Sequence, residues 1–219
     1  MSIDTEKPTG PRSSKGERTR SKLLEAAKEI FEEHGFIEAR ISDIAERAGV
    51  SYGSFYHYFS SKEEIFREVA AAHERELGAA VAAEVTSVGA PGAAGVVARL
   101  EAANRRYLVS YRDEAKLMRV IEQVTRYDEV LNGERLDRHE VFAERLAEAI
   151  GQLQRQGCAD PQVDPSVGSQ ALMAMLTRFA EVWFVEGRVH CSFEEGVVQL
   201  NRMWLNALRM GEGTEDHRR

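Results

Sequence analysis

One stretch constrains the fold of this chain more than any other: ISDIAERAGVSYGSFYHYF, from Ile41 to Phe59. Two short runs of apolar residues at helical spacing follow each other, with a glycine and almost no spare residues between them. Ser42 and Ser51 stand where each short helix begins and are predicted N-caps, and Gly49 is predicted to form the turn. This order is typical of a helix-turn-helix, a motif whose second helix enters the major groove of DNA.

The second short helix is unusually rich in rings. Three Tyr, two Phe and one His lie between Tyr52 and Phe59, although aromatic residues are only 8% of the chain. Some of the segment is predicted to form core: Ile44, Ala45, Val50, Phe55 and Phe59. The rest is predicted to face nucleic acid, with Ser51, Tyr52 and Gly53 near base edges and Tyr56 and His57 near phosphates. The alternative, that every ring fills the core, requires a small three-helix unit to bury six rings within eight residues.

Charge is distributed unevenly along the chain. Between Lys7 and Lys22 there are six Lys or Arg against Glu17, and residues 1–62 carry ten basic and ten acidic side chains, so the net charge of −7 lies in the remainder. A basic N-terminal arm suits a polyanion, and a solvated tail is the alternative interpretation. Lys62 opens the next helix, where a cation opposes the helix dipole. We therefore expect an anion, a DNA phosphate, beside it.

Helical periodicity continues to the C-terminus and predicts an all-α protein of about nine helices. Ser14 with Glu17, Ser61 with Glu64 and Ser192 with Glu195 have the capping-box spacing, and the glycines between Gly89 and Gly95 are interpreted as a linker. The later helical runs are predicted near 96–112, 114–130, 134–156, 166–188 and 193–210. The predicted domains are a disordered basic arm (1–13), a helix-turn-helix domain (14–60), a helical ligand-binding and dimerisation domain (61–211) and a disordered tail (212–219).

Several classes of protein are disfavoured. No run of about 18 apolar residues is present, so we expect no membrane span, and the polar N-terminus lacks a secretion signal, which predicts a cytoplasmic protein. Cys158 and Cys191 are interpreted as ordinary thiols. None of the six His has a Glu three residues before it, and no common catalytic or nucleotide-binding motif occurs. We therefore expect no enzyme activity, no cofactor and no metal.

Three segments in order, RSKLLEAAKEIFEEHGF, ISDIAERAGVSYGSFYHYF and SSKEEIF, resemble the DNA-binding domain of the tetracycline-repressor (TetR) family of bacterial transcription regulators. The resemblance covers about the first 65 residues, and Ser42 departs from the family's more usual Thr. It implies a homodimer bound to double-stranded, palindromic operator DNA. It also implies these DNA-contacting residues: Arg18, Arg20, Arg40, Ser42, Ser51, Tyr52, Gly53, Tyr56, His57 and Lys62.

The C-terminal domain is interpreted from its apolar patterns. The segment QALMAMLTRFAEVWFVEG has two apolar faces, which suggests that it and the last helix pack against a second copy of the chain, with a monomeric core as the alternative. The resemblance implies a cavity for a small-molecule effector among the middle helices. The candidate walls are mostly apolar, which favours an apolar effector, although apolar residues at helical spacing also form ordinary core. The candidate wall residues are Tyr107, Tyr111, Met118, Ile121, Val124, Thr125, Phe142, Met175, Phe179 and Trp183.

Together these patterns predict a ligand-responsive DNA-binding regulator, a repressor released from its operator by a small, largely apolar molecule. The alternative is a helical ligand-binding or scaffolding protein without specific DNA binding.

Overall fold

The computed structural model describes residues 14–86 and 92–210, and throughout those ranges the regular secondary structure is helical. This confirms the all-α prediction. The helices are α1 (Ser14–Glu38), α2 (Ile41–Arg47), α3 (Tyr52–Phe55), α4 (Lys62–Thr86), α5 (Gly92–Asp113), α6 (Ala115–Val124), α7 (Glu129–Arg155), α8 (Pro165–Ala180), a π-helical turn (Glu181–Val185) and α9 (Phe193–Ala207). The predicted N-terminal arm and C-terminal tail lie outside the described residues.

The chain divides into two compact units, with the boundary between Arg75 and Glu76. The first unit, described over residues 14–75, is called the head here, and the second, described over residues 76–86 and 92–210, is called the body. The sequence places this boundary earlier, at residues 60/61. The difference arises because the first turns of α4 pack into the head, where Ile65, Phe66, Val69 and Ala70 are buried.

The head has an aromatic core built on α1. Phe31 is fully buried, and its ring meets the ring of Phe66 edge-on at a centroid distance of 4.9 Å. Phe36 closes the group, 5.0 Å from Phe66. Gly35, with φ of +72°, interrupts α1 just before Phe36, a backbone conformation that glycine adopts without strain. The kink therefore turns the end of α1 so that Phe36 joins the same core.

The two short helices pack together as predicted. Ile44, Ala45 and Phe55 are buried, and Gly49, with φ of +69°, forms the turn between α2 and α3. Val50 donates its amide to the carbonyl of Ala45, which fixes the turn. The second short helix is shorter than predicted: it is a single turn, Tyr52–Phe55, and residues 56–58 continue as hydrogen-bonded turns instead of reaching Tyr58 as helix.

Helix ends test the predicted caps. The Ser51 side chain accepts the amide of Ser54, and Ser192 with Glu195 forms a reciprocal capping box, so both predictions are confirmed. The predicted cap at Ser42 is wrong, because α2 begins at Ile41, two residues earlier than a Ser42 cap requires, and its N-cap is Arg40, which has no side-chain cap hydrogen bond. Part of the predicted glycine linker is also helical, since α5 already begins at Gly92; residues 87–91 lie outside the described ranges.

The body is a packed group of helices. In α7, Leu146, Ile150 and Leu153 are buried, and α8 packs along this helix. The π-helical turn carries Trp183 onto α9 at Gly196, where a side chain on the glycine would come closer than 3.0 Å to three indole atoms. A buried hydrogen bond of 2.9 Å, donated by the Asn104 amide to Asn201 Oδ1, joins α5 to α9.

Candidate nucleic-acid interface

The surface around α3 separates its rings into two groups. Phe55 and Phe59 are 0% and 1% exposed, whereas Tyr52 and Tyr56 are 55% and 46% exposed. Three more predicted contacts are also exposed, and together they form what we call the α3 surface: Ser51, Tyr52, Gly53, Tyr56 and His57. The prediction that only part of the aromatic cluster is core is therefore confirmed.

The two exposed tyrosines of the α3 surface form a pair. Their hydroxyl oxygens lie 2.9 Å apart, and their rings meet edge-on with centroids 5.3 Å apart. The hydrogen bond between the two hydroxyls is the main reason that the pKa of Tyr56 is raised above its ordinary value of 10. A hydroxyl has one donor and two acceptor sites. The pair therefore keeps one hydroxyl hydrogen for a phosphate or a base edge.

The remaining polar groups of the α3 surface come from its cap. Ser51 Oγ accepts the amide of Ser54 at 3.2 Å and lies 2.8 Å from Ser54 Oγ. Gly53 has no heavy atom within 4 Å of the place where a Cβ would stand. The backbone of this turn is consequently open to close approach by a partner.

The start of α2 places two further predicted contacts at the surface. Arg40 is exposed and extended, with φ of −116° and ψ of +143°. Ser42 is exposed, and its hydroxyl donates to Asp43 Oδ1 at 2.9 Å. Since Ser42 does not cap the helix, its oxygen is available as an acceptor in this exposed position.

Two of the predicted phosphate contacts are engaged within the head, whereas Arg18 is exposed. Arg20 forms an ion pair with Glu68 of α4, and its guanidinium lies 5.1 Å from the centroid of the Phe59 ring. The Lys62 ammonium donates to the carbonyl oxygens of Phe36, Ile37 and Ala39 at 2.7, 3.1 and 3.0 Å. That Arg20 and Lys62 contact DNA stays a prediction. Within the head, Arg20 already has a carboxylate partner and Lys62 already has carbonyl partners.

The predicted effector contacts differ in burial. Six are buried, namely Tyr107, Tyr111, Met118, Ile121, Val124 and Trp183, and four are half-buried, namely Thr125, Phe142, Met175 and Phe179. The structure brings several of their rings together, with centroids 5.9 Å apart for Tyr107 and Tyr111 and 5.2 Å apart for Phe179 and Trp183. Thr125 Oγ1 instead donates back to the carbonyls of its own helix, at 3.0 Å for Ile121.

A polar group beside these rings was missed by the sequence reasoning. Arg135 of α7 holds Glu122 of α6 through two hydrogen bonds of 2.8 and 2.6 Å, and the side chains are only 15% and 13% exposed. Tyr111 donates its hydroxyl to Glu122 Oε1 at 3.2 Å. No motif marks these residues, because their pairing depends on how α5, α6 and α7 pack.

Titration in this polar group is shifted by burial. Desolvation is the main cause that raises the pKa of Tyr111 above its ordinary range, and the carboxylate of Glu122 adds to it. Desolvation also lowers the pKa of His139 to about 4, and the positive charge of Arg135 acts in the same direction. At neutral pH the body therefore holds a neutral phenol and a neutral imidazole next to an ion pair.

Within residues 14–86 and 92–210, no group of three or more His, Cys, Asp or Glu side chains is arranged to hold a metal ion. None of the described helices combines the length and the apolar character needed to cross a membrane.

Comparisons with known proteins agree with this geometry. Residues 23–69 match the model of bacterial regulatory proteins of the tetR family. An uncharacterized HTH-type transcriptional regulator of Bacillus subtilis, YdgC, is 26% identical over 174 residues, which is 80% of this chain and 85% of that protein. The HTH-type transcriptional regulator UidR of Escherichia coli is 41% identical over 51 residues, but this match spans only 23% of this chain and 26% of UidR.

Solved structures extend the similarity of fold through the body. SmeT, the repressor of a multidrug efflux pump of Stenotrophomonas maltophilia, has a TM-score of 0.69 and 20% identity, covering 90% of this chain and 94% of SmeT. A transcriptional regulator from Saccharomonospora viridis in complex with choline has a TM-score of 0.72 and 21% identity, covering 85% of this chain and 95% of that one. The head thus carries a helix-turn-helix that matches the tetR family of bacterial regulatory proteins over residues 23–69, and the chain has the fold of these solved transcriptional regulators.

Proposed function

We propose that this regulator is a homodimeric repressor that binds a near-palindromic operator and is released by a small, largely apolar effector. The observation that carries the proposal is the α3 surface, where tyrosine hydroxyls, an imidazole and an open glycine backbone are exposed on a turn whose other rings are buried. Polar side chains of this kind serve both base edges and phosphates. Acting on DNA in a bacterium, the protein would work in the cytoplasm.

The DNA contacts divide by role. Ser51, Tyr52 and Gly53 are assigned to base edges because they begin α3, the helix proposed to enter the major groove. Phosphate contacts are assigned to four exposed donors: Arg18, Arg40, Tyr56 and His57. Ser42 could join them only if its hydroxyl hydrogen turned from Asp43 to a phosphate. Arg20 and Lys62 are set apart, since their cations are already engaged inside the head.

Dimerisation is assigned to α8 and α9. Their outer faces carry apolar side chains that are large and open to solvent: Val167 is 69% exposed, Val198 50% and Met203 45%. Burying such side chains against a second copy is favourable, at about 25 cal/mol per Å². Two heads then read half-sites whose centres are about 34 Å apart, or a multiple of that distance.

The effector is assigned to the rings and methionines of α5, α6, α7 and α8. Their apolar character supports a largely apolar molecule, and the Tyr111 hydroxyl with the Glu122–Arg135 pair offers hydrogen bonding to a polar group on it. SmeT, whose fold is similar, is a repressor, and the Saccharomonospora regulator binds choline. An effector shifts DNA binding only by the difference in its affinity for the two states of the protein.

The deciding experiment is selection of genomic fragments by the purified protein, with and without candidate metabolites. We expect enrichment of near-palindromic sites that an effector abolishes. Tyr52→Ala should change the preferred sequence, whereas Arg18→Ala should weaken all sites alike. Absence of any sequence preference in the effector-free protein would refute the proposal and favour a helical ligand-binding or scaffolding protein. An effector that strengthens binding would instead refute the repressor role alone.

A further inference from the structure

Lys62 is the first residue of α4, yet its side chain reaches back to the end of α1. The ammonium nitrogen lies 2.7, 3.1 and 3.0 Å from the carbonyl oxygens of Phe36, Ile37 and Ala39, and 4.7 Å from the centroid of the Phe36 ring. A lysine ammonium has three N–H donors and no acceptor. Three carbonyl partners therefore use its whole hydrogen-bonding capacity, and the ring covers one more side of the cation.

The three carbonyls belong to a segment that needs such a partner. Residues 36–39 follow the kink at Gly35 and lead directly into Arg40, the N-cap of α2. The last carbonyls of a helix have no amide partner within that helix, and cations stabilise this end. A lysine in the first turn of α4 opposes the dipole of its own helix, but here it meets the carbonyl end of another helix.

The contact joins two parts of the head that are far apart in sequence, 23 to 26 residues. On one side is the connection that positions α2, and with it α3. On the other is α4, whose helix continues beyond Arg75, the last residue of the head, as far as Thr86. The covalent path from the head to the body therefore runs through the helix that Lys62 opens.

We propose that Lys62 is a positioning residue for DNA binding: its ammonium clamps the α1–α2 connection to the first turn of α4, and this clamp, not a phosphate contact, is its contribution. The clamp keeps α2 and the α3 surface in the orientation that fits the DNA groove. A shift of the first turn of α4 must either carry the α1–α2 connection with it or break the clamp. Three backbone carbonyl oxygens inside the chain thereby replace the DNA phosphate that was expected beside Lys62.

Charge-preserving and charge-removing variants separate the two roles. A phosphate contact needs only a cation, so Lys62→Arg would keep it. The clamp needs a compact ammonium with three diverging donors, which the planar guanidinium of arginine does not reproduce. Lys62→Met removes the donors and the charge together but keeps much of the apolar stem. Arg40→Met is the matched control, because Arg40 is an exposed, proposed phosphate contact in the same segment.

The first measurement is affinity for a duplex that the wild-type full-length protein selects from a random pool, at KCl concentrations between about 50 and 200 mM. Each lost phosphate contact reduces the slope of log K against log salt by about 0.9, or about 1.8 for a dimer. We expect Arg40→Met to show this reduction. We expect both Lys62 variants to lose at least about tenfold in affinity with the wild-type slope. Wild-type affinity for Lys62→Arg, with a reduced slope for Lys62→Met, would overturn the clamp.

The second measurement is hydrogen exchange of residues 36–41 in the DNA-free protein, which keeps the clamp testable without any DNA site. We expect faster exchange in both Lys62 variants and no change in Arg40→Met. Unchanged exchange in both Lys62 variants overturns the proposal. The DNA measurement rests on the proposed function. If the wild-type protein selects no duplex, the proposed function fails, and the hydrogen-exchange measurement alone decides whether the clamp exists. Should Lys62→Met not fold, as judged by circular dichroism, Lys62→Arg carries both measurements.

Discussion

At the scale of single residues, the two units use aromatic side chains for different purposes. In the head, Tyr52 and Tyr56 stay in solvent and hydrogen bond to each other, so their polar ends remain at the surface that we assign to DNA. In the body, Trp183 stacks on Phe184 at a centroid distance of 4.5 Å and packs against the backbone of α9. Its position there depends on a neighbour with no side chain.

Gly196→Ala should destabilise the body. The added Cβ would come closer than 3.0 Å to three atoms of the rigid Trp183 ring, and such overpacking typically costs about 1–3 kcal/mol. Gly133→Ala is the matched control, because nothing lies within 4 Å of its Cβ position in α7, and alanine favours a helix over glycine by up to about 1 kcal/mol. Urea unfolding should show opposite signs for the two variants. Equal stability of Gly196→Ala and the wild type would contradict this packing.

Histidine 139 should make the body sensitive to acid. Its pKa is lowered to about 4 in the folded protein, first by burial and then by Arg135, from an ordinary value of 6.5. The unfolded chain therefore binds this proton at a higher pH than the folded protein does. The free energy of unfolding therefore has its full value above pH 6.5 and falls by about 1.4 kcal/mol per pH unit as the pH drops from 6.5 toward 4.

His139→Gln removes this titration and should flatten the profile of unfolding free energy between pH 6.5 and 4. His190→Gln, which changes an exposed histidine of the same unit, is the control and should keep the wild-type profile. Chemical unfolding at half-unit pH steps measures the difference. A His139→Gln profile as steep as the wild type would show that the imidazole titrates normally in the folded state.

At the scale of elements, the ends of the helices show what local sequence can determine. Ser51 and Ser192 were predicted as caps and are caps, because the cap is decided within four residues of chain. Ser42 has a similar local sequence but is the second residue of α2, whose N-cap is Arg40. The connection before α2 is bonded by Lys62, which lies outside this local window, so the local sequence does not contain all the contacts made at this helix start.

Ser192→Ala should destabilise α9 by about 1 kcal/mol, the usual cost of losing an N-cap. In the wild type, Ser192 Oγ accepts the amide of Glu195, and Glu195 in return accepts the amide of Ser192. Ser42→Ala makes the same chemical change where the hydroxyl only meets Asp43 in solvent, and its cost should be close to zero. Denaturant midpoints compare the two. Similar losses for both would show that the capping box adds nothing to stability.

The contacts among Tyr111, Glu122 and Arg135 in the body could not be predicted from the sequence of any one helix. The sequence analysis includes Tyr111 among the candidate effector contacts, but no sequence pattern singles out Glu122 or Arg135. Their pairing needs α6 and α7 to meet at one register, and periodicity does not contain that information. Likewise, Lys62 was recognised as unusual for a helix start, whereas its carbonyl partners, more than 20 residues earlier, were not predictable.

At the scale of the whole molecule, the proposed function needs two copies of the chain. A palindromic operator offers two equal half-sites, and one head fills only one of them. When two heads are linked in a dimer, the second head binds its half-site intramolecularly. This strengthens binding to the operator although each head makes the same contacts as it would alone. Loss of the dimer should therefore weaken operator binding even though every residue of the α3 surface is intact.

Met203→Glu tests this link between assembly and DNA binding. Met203 lies on the outer face of α9 and is 45% exposed in the single chain, so a charge there costs the monomer little but is buried and unpaired in the proposed interface. We expect dissociation to monomers in sedimentation velocity, and at least about a hundredfold weaker binding to the selected duplex. Leu136→Glu, on α7 and 58% exposed, should change neither. A Met203→Glu protein that stays dimeric would place the interface elsewhere on the body. A monomeric one with wild-type affinity would show that one head is enough for binding.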